Sequence, residues 1–258
     1  MSEAESPLSF SFSEWLARHD RAAVLGSIVA VAILASYVMW RAGDAAMMAE
    51  MVPASAISDA LLLFIMWWAM MLAMMLPSAS PAILIYAAFA RKHQSKGIAP
   101  VAVFASGYAA IWTGFSLAAV ALQLLVRPVI ELDMTMAVTS RVVGAGLLAA
   151  AGLYQMTPLK QACLRNCQSP LMFFAKRWRK GLQGSLRMGI EHGSYCLGCC
   201  WVLMALLFYG GIMDLRWIVG IALYIAAEKF IPAGTNLARL TGLMLMAGGA
   251  YQLYTALT

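Results

Sequence analysis

Long apolar segments, separated by short polar stretches, limit this chain to a fold built in a membrane. Hydrophobic residues make up 62% of its 258 residues and charged residues only 12%, whereas soluble domains average about 25% charged residues. An apolar helix of about 20 residues is long enough to cross the hydrocarbon core of a bilayer. The sequence therefore predicts an all-α fold, a polytopic integral membrane helical bundle whose surroundings are the lipid bilayer.

Seven segments have the composition of transmembrane helices. They lie at about residues 22–40, 60–90, 101–126, 137–156, 195–212, 215–231 and 237–256. The second segment is too long for one straight span, and Pro77 and Pro81 predict a kink within it, with two half-helices as the alternative. We divide the chain into an N-terminal arm with the first transmembrane helix, residues 1–45, and a membrane-embedded domain, residues 46–258.

Charge is distributed unevenly between the polar connections. The connections at 91–96 and 157–187 are basic, and those at 44–59 and 131–133 contain the acidic residues. If seven helices alternate in direction, the two basic connections lie on one side of the membrane, and the positive-inside rule makes that side cytoplasmic. This predicts a multi-pass protein with a cytoplasmic N-terminus. It also explains the net charge of +6 without a nucleic-acid partner.

The fourth and seventh segments resemble each other. Each begins with an arginine, Arg141 or Arg239, followed by a glycine, an alanine and a Tyr-Gln pair at nearly equal spacing. One interpretation is a three-helix inverted repeat of spans 2–4 and 5–7, the architecture of many transporters. The other is that helices rich in small residues look alike because they pack closely, which would also permit a homo-oligomer.

A histidine and three cysteines are grouped at the predicted cytoplasmic mouth of the fifth segment, with His192 three residues before its predicted start. On a helix at 100° per residue, His192, Cys196 and Cys199 fall within an arc of about 60°, with Cys200 at its edge. Imidazole and thiolate are the side chains that hold soft or borderline ions such as Cu(I) and Zn(II). We predict that His192, Cys196 and Cys199 are primary metal ligands and that Cys200 is an alternate one. The competing interpretation is that these cysteines are small, inert hydrophobic residues.

Methionines are concentrated in the second segment. Met70 and Met74, like Met71 and Met75, are four residues apart and so share a helix face. Thioethers select Cu(I) among biological metals, so these four residues could form a relay for the ion. Methionine also fills irregular gaps in apolar cores, and taken alone the run favours that explanation.

Two further cysteines occur in the basic connection at 157–187. Cys163 and Cys167 share one face if that connection is helical. They could exchange metal with a cytoplasmic donor, form a disulfide under oxidation, or be unrelated free thiols.

Glu228 and Lys229 are ionisable residues near the end of the sixth segment. Charged groups at that depth are costly unless they are paired or face a cavity. They could form a proton or ion relay, although the helix end is the favoured explanation.

Four motifs resemble one known family. They are the HGSYCLGCCWVLM run at 192–204, the WAMMLAMMLPS run at 68–78, the LKQACLRNCQSP run at 159–170, and AEK at 227–229. Together they resemble a bacterial family of predicted metal-binding integral membrane proteins, classified as domain of unknown function 2182, over roughly residues 55–255. The resemblance implies a bound metal and a location in the bacterial cytoplasmic (inner) membrane, but no established activity.

These patterns predict a membrane protein that binds a soft metal ion, with copper(I) favoured and zinc as the alternative. It would transport the ion or deliver it to a membrane cuproenzyme. No catalytic residue is predicted, and no Gly-rich nucleotide-binding loop is present in the sequence. One alternative is a thiol-disulfide redox protein using Cys196 and Cys199. The other is a non-catalytic accessory subunit of a membrane complex.

Overall fold

The computed structural model describes residues 56–93, 98–129, 136–231 and 234–258, with three separate positions, Ile33, Tyr37 and Arg41, nearer the N-terminus. The predicted first transmembrane segment at 22–40 and the acidic loop at 131–133 therefore lie outside the described residues, apart from Ile33 and Tyr37. Elements within the described ranges are helices, which confirms the all-α prediction for that part of the chain.

The described part of the chain contains the following helices. In chain order they are α1 (Ala56–His93), α2 (Ala99–Val126), α3 (Arg141–Met156), α4 (Pro158–Gln168), α5 (Pro170–Arg177), α6 (Gly181–Ala205), α7 (Leu207–Gly210), α8 (Leu215–Phe230) and α9 (Gly234–Leu257).

Three of the described helices are long and apolar enough to cross a membrane: Ile57–His93, Ala99–Val126 and Gly181–Gly210, the last combining α6 and α7. A fourth span exists if α3 and α4, which meet at an angle of 65°, are counted as one broken span. Seven spans are therefore not confirmed. Helix α8, for example, has 16 residues, or about 24 Å at 1.5 Å per residue, which is shorter than a hydrocarbon core of about 30 Å.

The second predicted segment forms a single helix. Helix α1 contains 38 residues, with Pro77 and Pro81 inside it, so the alternative of two half-helices is wrong. A proline removes one backbone hydrogen bond. In this helix the carbonyls that lose a donor are those of Ala73 and Pro77, four residues before each proline. Between the prolines, Ser78 donates its hydroxyl to the carbonyl of Met75 at 3.0 Å.

The basic connection at 157–187, whose conformation the sequence left open, is mostly helical. Helices α4 and α5 fill most of it, and α6 begins at Gly181, fourteen residues before the predicted start at residue 195. Thr157 caps α4 by accepting a hydrogen bond from the Lys160 amide, and Pro158 occupies its first turn. Glu191 of α6 accepts ion pairs from Arg177, Arg179 and Arg187 at 3.3–3.5 Å, and these hold the end of α5 against α6.

Close helix crossings determine where the candidate ligands lie. Helix α2 packs along α6, and α3 packs along α9. A Cβ atom on Gly107 of α2 would lie 2.5 Å from the carbonyl oxygen of Leu186 in α6, so only glycine permits this approach. Similarly, a Cβ on Gly152 of α3 would lie 2.6 Å from the carbonyl oxygen of Gly242 in α9. The two segments with similar sequence patterns therefore pack on each other, and the inverted repeat stays a prediction.

Candidate metal centre

The four predicted ligands of α6 are buried in the middle of this helix. His192 is 3% exposed, Cys196 and Cys199 are 1% exposed, and Cys200 is fully buried. The prediction placed them at the mouth of the fifth span. They lie well inside α6 because the helix begins at Gly181.

His192 is surrounded by aromatic side chains. Its ring centroid lies 5.6 Å from that of Phe173 and 6.1–6.3 Å from those of Phe104, Tyr108 and Phe174. Its Nδ1 atom is buried and has no hydrogen-bond partner among the described residues. A buried polar atom without a partner is costly, so this imidazole has a free position at which it could bind a ligand.

The Cys196 sulfur has polar partners on two other helices. The hydroxyl of Tyr108 in α2 lies 3.1 Å from Cys196 Sγ. Lys229 of α8 donates from Nζ to the same sulfur at 3.1 Å and to Ser78 Oγ at 2.9 Å. Cys167 of α4 lines the same cavity as Cys196. Cys196 is therefore the sulfur on which the other groups converge.

Cys199 and Cys200 lie one turn beyond Cys196. Both thiols donate to its backbone carbonyl, at 3.1 Å and 3.0 Å. Cys199 Sγ also lies 4.0 Å from Cys167 Sγ. This separation is less than twice a metal–thiolate bond of about 2.3 Å, so one ion could contact sulfurs of both α4 and α6.

Cys163 and Cys167 do share one helical stretch, α4, but they differ in surroundings. Cys167 approaches Cys199 and lines the cavity beside Cys196. Cys163 packs against the backbone of α6 instead: a Cβ added to Gly198 would lie 2.8 Å from Cys163 Sγ. The structure thus brings Cys167 to the α6 ligands and leaves Cys163 against the helix backbone.

A cavity of about 270 Å³ adjoins these groups. Its polar lining consists of Ser78, Cys167, Gln168, His192, Cys196 and Lys229. The rest is mainly apolar and comes from α1, α5 and the end of α8. Residues far apart in the sequence therefore face one space that is large enough for an ion and its ligands.

The methionines Met70, Met71, Met74 and Met75 are buried, with exposures of 0–5%. The contact between these methionines and the site is made by a backbone carbonyl and not by the thioether sulfurs. The Met75 carbonyl accepts hydrogen bonds from Tyr108, at 3.2 Å, and from Ser78, and both residues touch the Cys196 environment. A relay through the thioether sulfurs remains a prediction.

Several residues around the site had no signal in the sequence pattern. Tyr108 looks like an ordinary member of an apolar helix, and Ser78 appeared only as the last residue of the motif at 68–78, so the roles of both depend on contacts across helices. Glu228 and Lys229 did carry a signal, because ionisable residues are rare within apolar segments. They lie in the last turns of α8, as predicted, but both are buried and bonded to other helices.

The donors fit a soft ion, although their present arrangement is that of free thiols. Among the described residues, no three histidine, cysteine, aspartate or glutamate side chains have the geometry of a preformed metal site, and all five cysteines are unpaired. The Cys199 and Cys200 thiols point to the Cys196 carbonyl, so metal binding requires them to rotate. One buried imidazole nitrogen without a partner and several thiols are donors that suit Cu(I) or Zn(II).

A comparison with known proteins identifies the family of this chain. The model of a family described as a copper chaperone, PpoB2, matches residues 64–252, which includes α2 to α8 and most of α1 and α9. The chain belongs to the PpoB2 copper chaperone family. This match supports the predicted connection with copper, under a different family name from the one that the sequence resemblance gave. No curated protein and no solved structure matches the chain.

Proposed function

We propose that this member of the copper chaperone family binds Cu(I) within the membrane and delivers it to a copper enzyme. In this proposal the ion is cargo, held by Cys196 and by Cys199 or Cys167, with His192 available as a nitrogen donor and Cys200 as an alternate thiolate. The location is the bacterial cytoplasmic membrane, as expected from the sequence.

The main support for this proposal is that α4 and α6 bring cysteine sulfurs close together. Cys167 comes from one helix and Cys196 and Cys199 from the other, and the Cys167 and Cys199 sulfurs are 4.0 Å apart. A site divided between two helices can open when the short helix α4 moves. Helix α4 has only 11 residues, and the ion pair of Lys160 with Glu228 holds it to α8, so release of the ion by this route requires that pair to separate.

The donor set favours copper over harder ions. Thiolate and imidazole bind Cu(I) and Zn(II), whereas Mg²⁺ and Ca²⁺ prefer oxygen ligands. Cys163 is assigned no direct role at the ion, because its sulfur packs on the backbone at Gly198. It remains a candidate for receiving metal from a cytoplasmic donor, as the sequence predicted.

Binding can be tested on the full chain, purified without oxygen in detergent and titrated with Cu(I) against a coloured Cu(I) chelator. We expect about one ion per chain, lost in Cys196→Ser and weakened in His192→Ala. His93→Ala is the matched control, because His93 is an exposed histidine at the end of α1. A wild-type protein that cannot compete with the chelator, or variants that bind as wild type does, would refute the proposal.

Delivery and transport can be separated with proteoliposomes that contain a membrane-impermeant Cu(I) chelator. A transporter accumulates the copper complex inside the vesicles. A delivery protein binds copper at its site but does not accumulate it, and it loads an apo copper enzyme added outside. Accumulation that depends on Cys196 would favour transport over the delivery proposed here.

The thiol redox alternative rests on the same 4.0 Å approach of Cys167 and Cys199. These two sulfurs could form a disulfide after a small rotation, which makes an interhelical pair a better candidate than the predicted Cys196–Cys199 pair. Mass spectrometry of protein trapped with an alkylating agent identifies the pair. A reversible Cys167–Cys199 disulfide in protein that binds no copper would favour the redox function.

A further inference from the structure

Lys229 is a buried lysine whose ammonium group reaches the candidate site. The residue is 7% exposed and lies in the last turn of α8. Its Nζ donates to Ser78 Oγ at 2.9 Å and to Cys196 Sγ at 3.1 Å. It also lines the cavity beside His192 and Cys167. A positive charge is therefore fixed beside the central sulfur.

The neighbouring carboxylate does not balance this charge, because it is already occupied. Glu228 forms an ion pair with Lys160 at 2.7 Å, and it also accepts hydrogen bonds from Tyr224 and Gln155 at 2.5 Å and 3.1 Å. In the described parts of the chain, no carboxylate forms an ion pair with Lys229. A buried ammonium is costly without an anion, so the remaining source of negative charge beside Lys229 is cysteine sulfur.

The charge of the bound ion makes this arrangement selective. A Cu(I) ion held by two thiolates leaves one net negative charge, and burying that charge is unfavourable. An ammonium beside a thiolate makes the whole assembly neutral. A Zn(II) ion held by two thiolates is already neutral, and the same ammonium then leaves one net positive charge. At short distance and low dielectric, such charge differences are large enough to discriminate between the two ions.

We propose that Lys229 is a specificity-determining residue that balances the charge of Cu(I) bound by two thiolates and disfavours Zn(II). It hydrogen-bonds to Cys196 from outside the ligand set and does not contact the ion. This inference rests on the proposed function, since it concerns the same site.

The test measures Cu(I) and Zn(II) affinities of full-length protein, without oxygen, by competition with a chelator for each metal. Lys229→Met removes the charge and keeps the length of the side chain. We expect its Cu(I) affinity to fall at least about tenfold, and its Zn(II) affinity to stay unchanged or rise. Lys229→Arg should retain most of the preference for Cu(I). Lys92→Met is the control, because Lys92 is an exposed lysine in the last turn of α1.

A second measurement uses Cys199→Ser as the background. Because Cys167 or Cys200 could replace Cys199 as the second thiolate, this background also carries Cys167→Ser and Cys200→Ser, which leaves Cys196 as the one thiolate of the site. The Cu(I) assembly then no longer carries a net negative charge, so Lys229→Met should lower the Cu(I) affinity much less than in wild type. If Lys229→Met fails to fold, Lys229→Gln gives the same comparison with a polar side chain.

The outcomes separate this inference from the proposed function. Wild-type protein that does not bind Cu(I) overturns the proposed function. If wild type binds Cu(I) and Lys229→Met binds it equally or more tightly, the proposed function stands and the role of Lys229 is wrong. Equal losses of Cu(I) and Zn(II) affinity in Lys229→Met also overturn the inference. Such losses would indicate a general disturbance of packing and not a loss of charge balance.

Discussion

Lys160 of α4 and Glu228 of α8 form an ion pair with an N–O distance of 2.7 Å, and their side chains are 0% and 1% exposed. Lys160 also contacts the side-chain oxygen of Gln155. The pair connects the short helix that carries Cys167 to the helix that carries Lys229. It thereby sets the position of α4 relative to the candidate metal centre.

Breaking this buried pair should destabilise the protein strongly. Glu228→Gln leaves the Lys160 charge without its carboxylate, and the expected loss of unfolding free energy is about 3–5 kcal/mol. Adding Lys160→Met should recover part of that loss, because the unpaired charge is then absent. Denaturant unfolding in mixed micelles, followed by tryptophan fluorescence, measures both effects.

Arg216→Gln is the control for that experiment. Arg216 pairs with Asp214 at 3.7 Å but is 97% exposed, and exposed pairs contribute little to stability. A loss in Arg216→Gln similar to that in Glu228→Gln would contradict the role given to burial.

The glycine crossing between α2 and α6 gives a second prediction. A Cβ atom on Gly189 would overlap the carbonyl oxygen of Phe104, so Gly189→Ala must separate the two helices. We expect a loss of about 1–3 kcal/mol in stability, and weaker Cu(I) binding because His192 and Cys196 move with α6. Unfolding and metal titration of the same preparation report both.

Gly146→Ala is its counterpart on α3. No atom lies within 4 Å of a Cβ added at Gly146, so the higher helix propensity of alanine should leave the protein equally stable or slightly more stable. If Gly189→Ala were as harmless as Gly146→Ala, the close contact would not be important for packing.

Cys167 and Cys163 form a matched pair one turn apart on α4. Cys167→Ser should weaken Cu(I) binding, because its sulfur lies 4.0 Å from that of Cys199. Cys163→Ser should leave the equilibrium affinity unchanged, because its sulfur packs on the backbone at Gly198. Competition with a Cu(I) chelator measures each. The reverse order of effects would show that Cys163 is the ligand.

The proposed methionine relay can be tested by the rate of copper loading and not by the equilibrium affinity for Cu(I). Replacing Met70, Met71, Met74 and Met75 by leucine keeps the size of these buried residues, and each such change usually costs less than about 1.5 kcal/mol. A relay predicts slower copper loading, followed by stopped-flow absorbance, with an unchanged final affinity. Met244→Leu, at a 62% exposed position, is the control. Unchanged loading rates would leave these methionines as core residues only.

The sequence predicted some structural features more reliably than others. Apolar composition and length are local properties, so helices at 101–126 and 215–231 were predicted to within two residues of α2 and α8. The start of α6 was missed because Gly181, Arg187 and Glu191 look like loop residues. In the structure, three arginines form ion pairs with Glu191, and the polar stretch continues as helix.

The sequence by itself determined that the chain is helical and apolar, and it grouped His192, Cys196 and Cys199 on one helix face, because helix periodicity depends only on spacing. Only the tertiary structure decided that Cys167, and not Cys163, reaches those sulfurs, and that Lys229 faces Cys196 while Glu228 pairs with Lys160. Such contacts join residues up to 151 positions apart, as between Ser78 and Lys229. They depend on how closely two helices approach each other at their glycines. That distance is set by both packed surfaces, so the sequence of neither helix determines it alone.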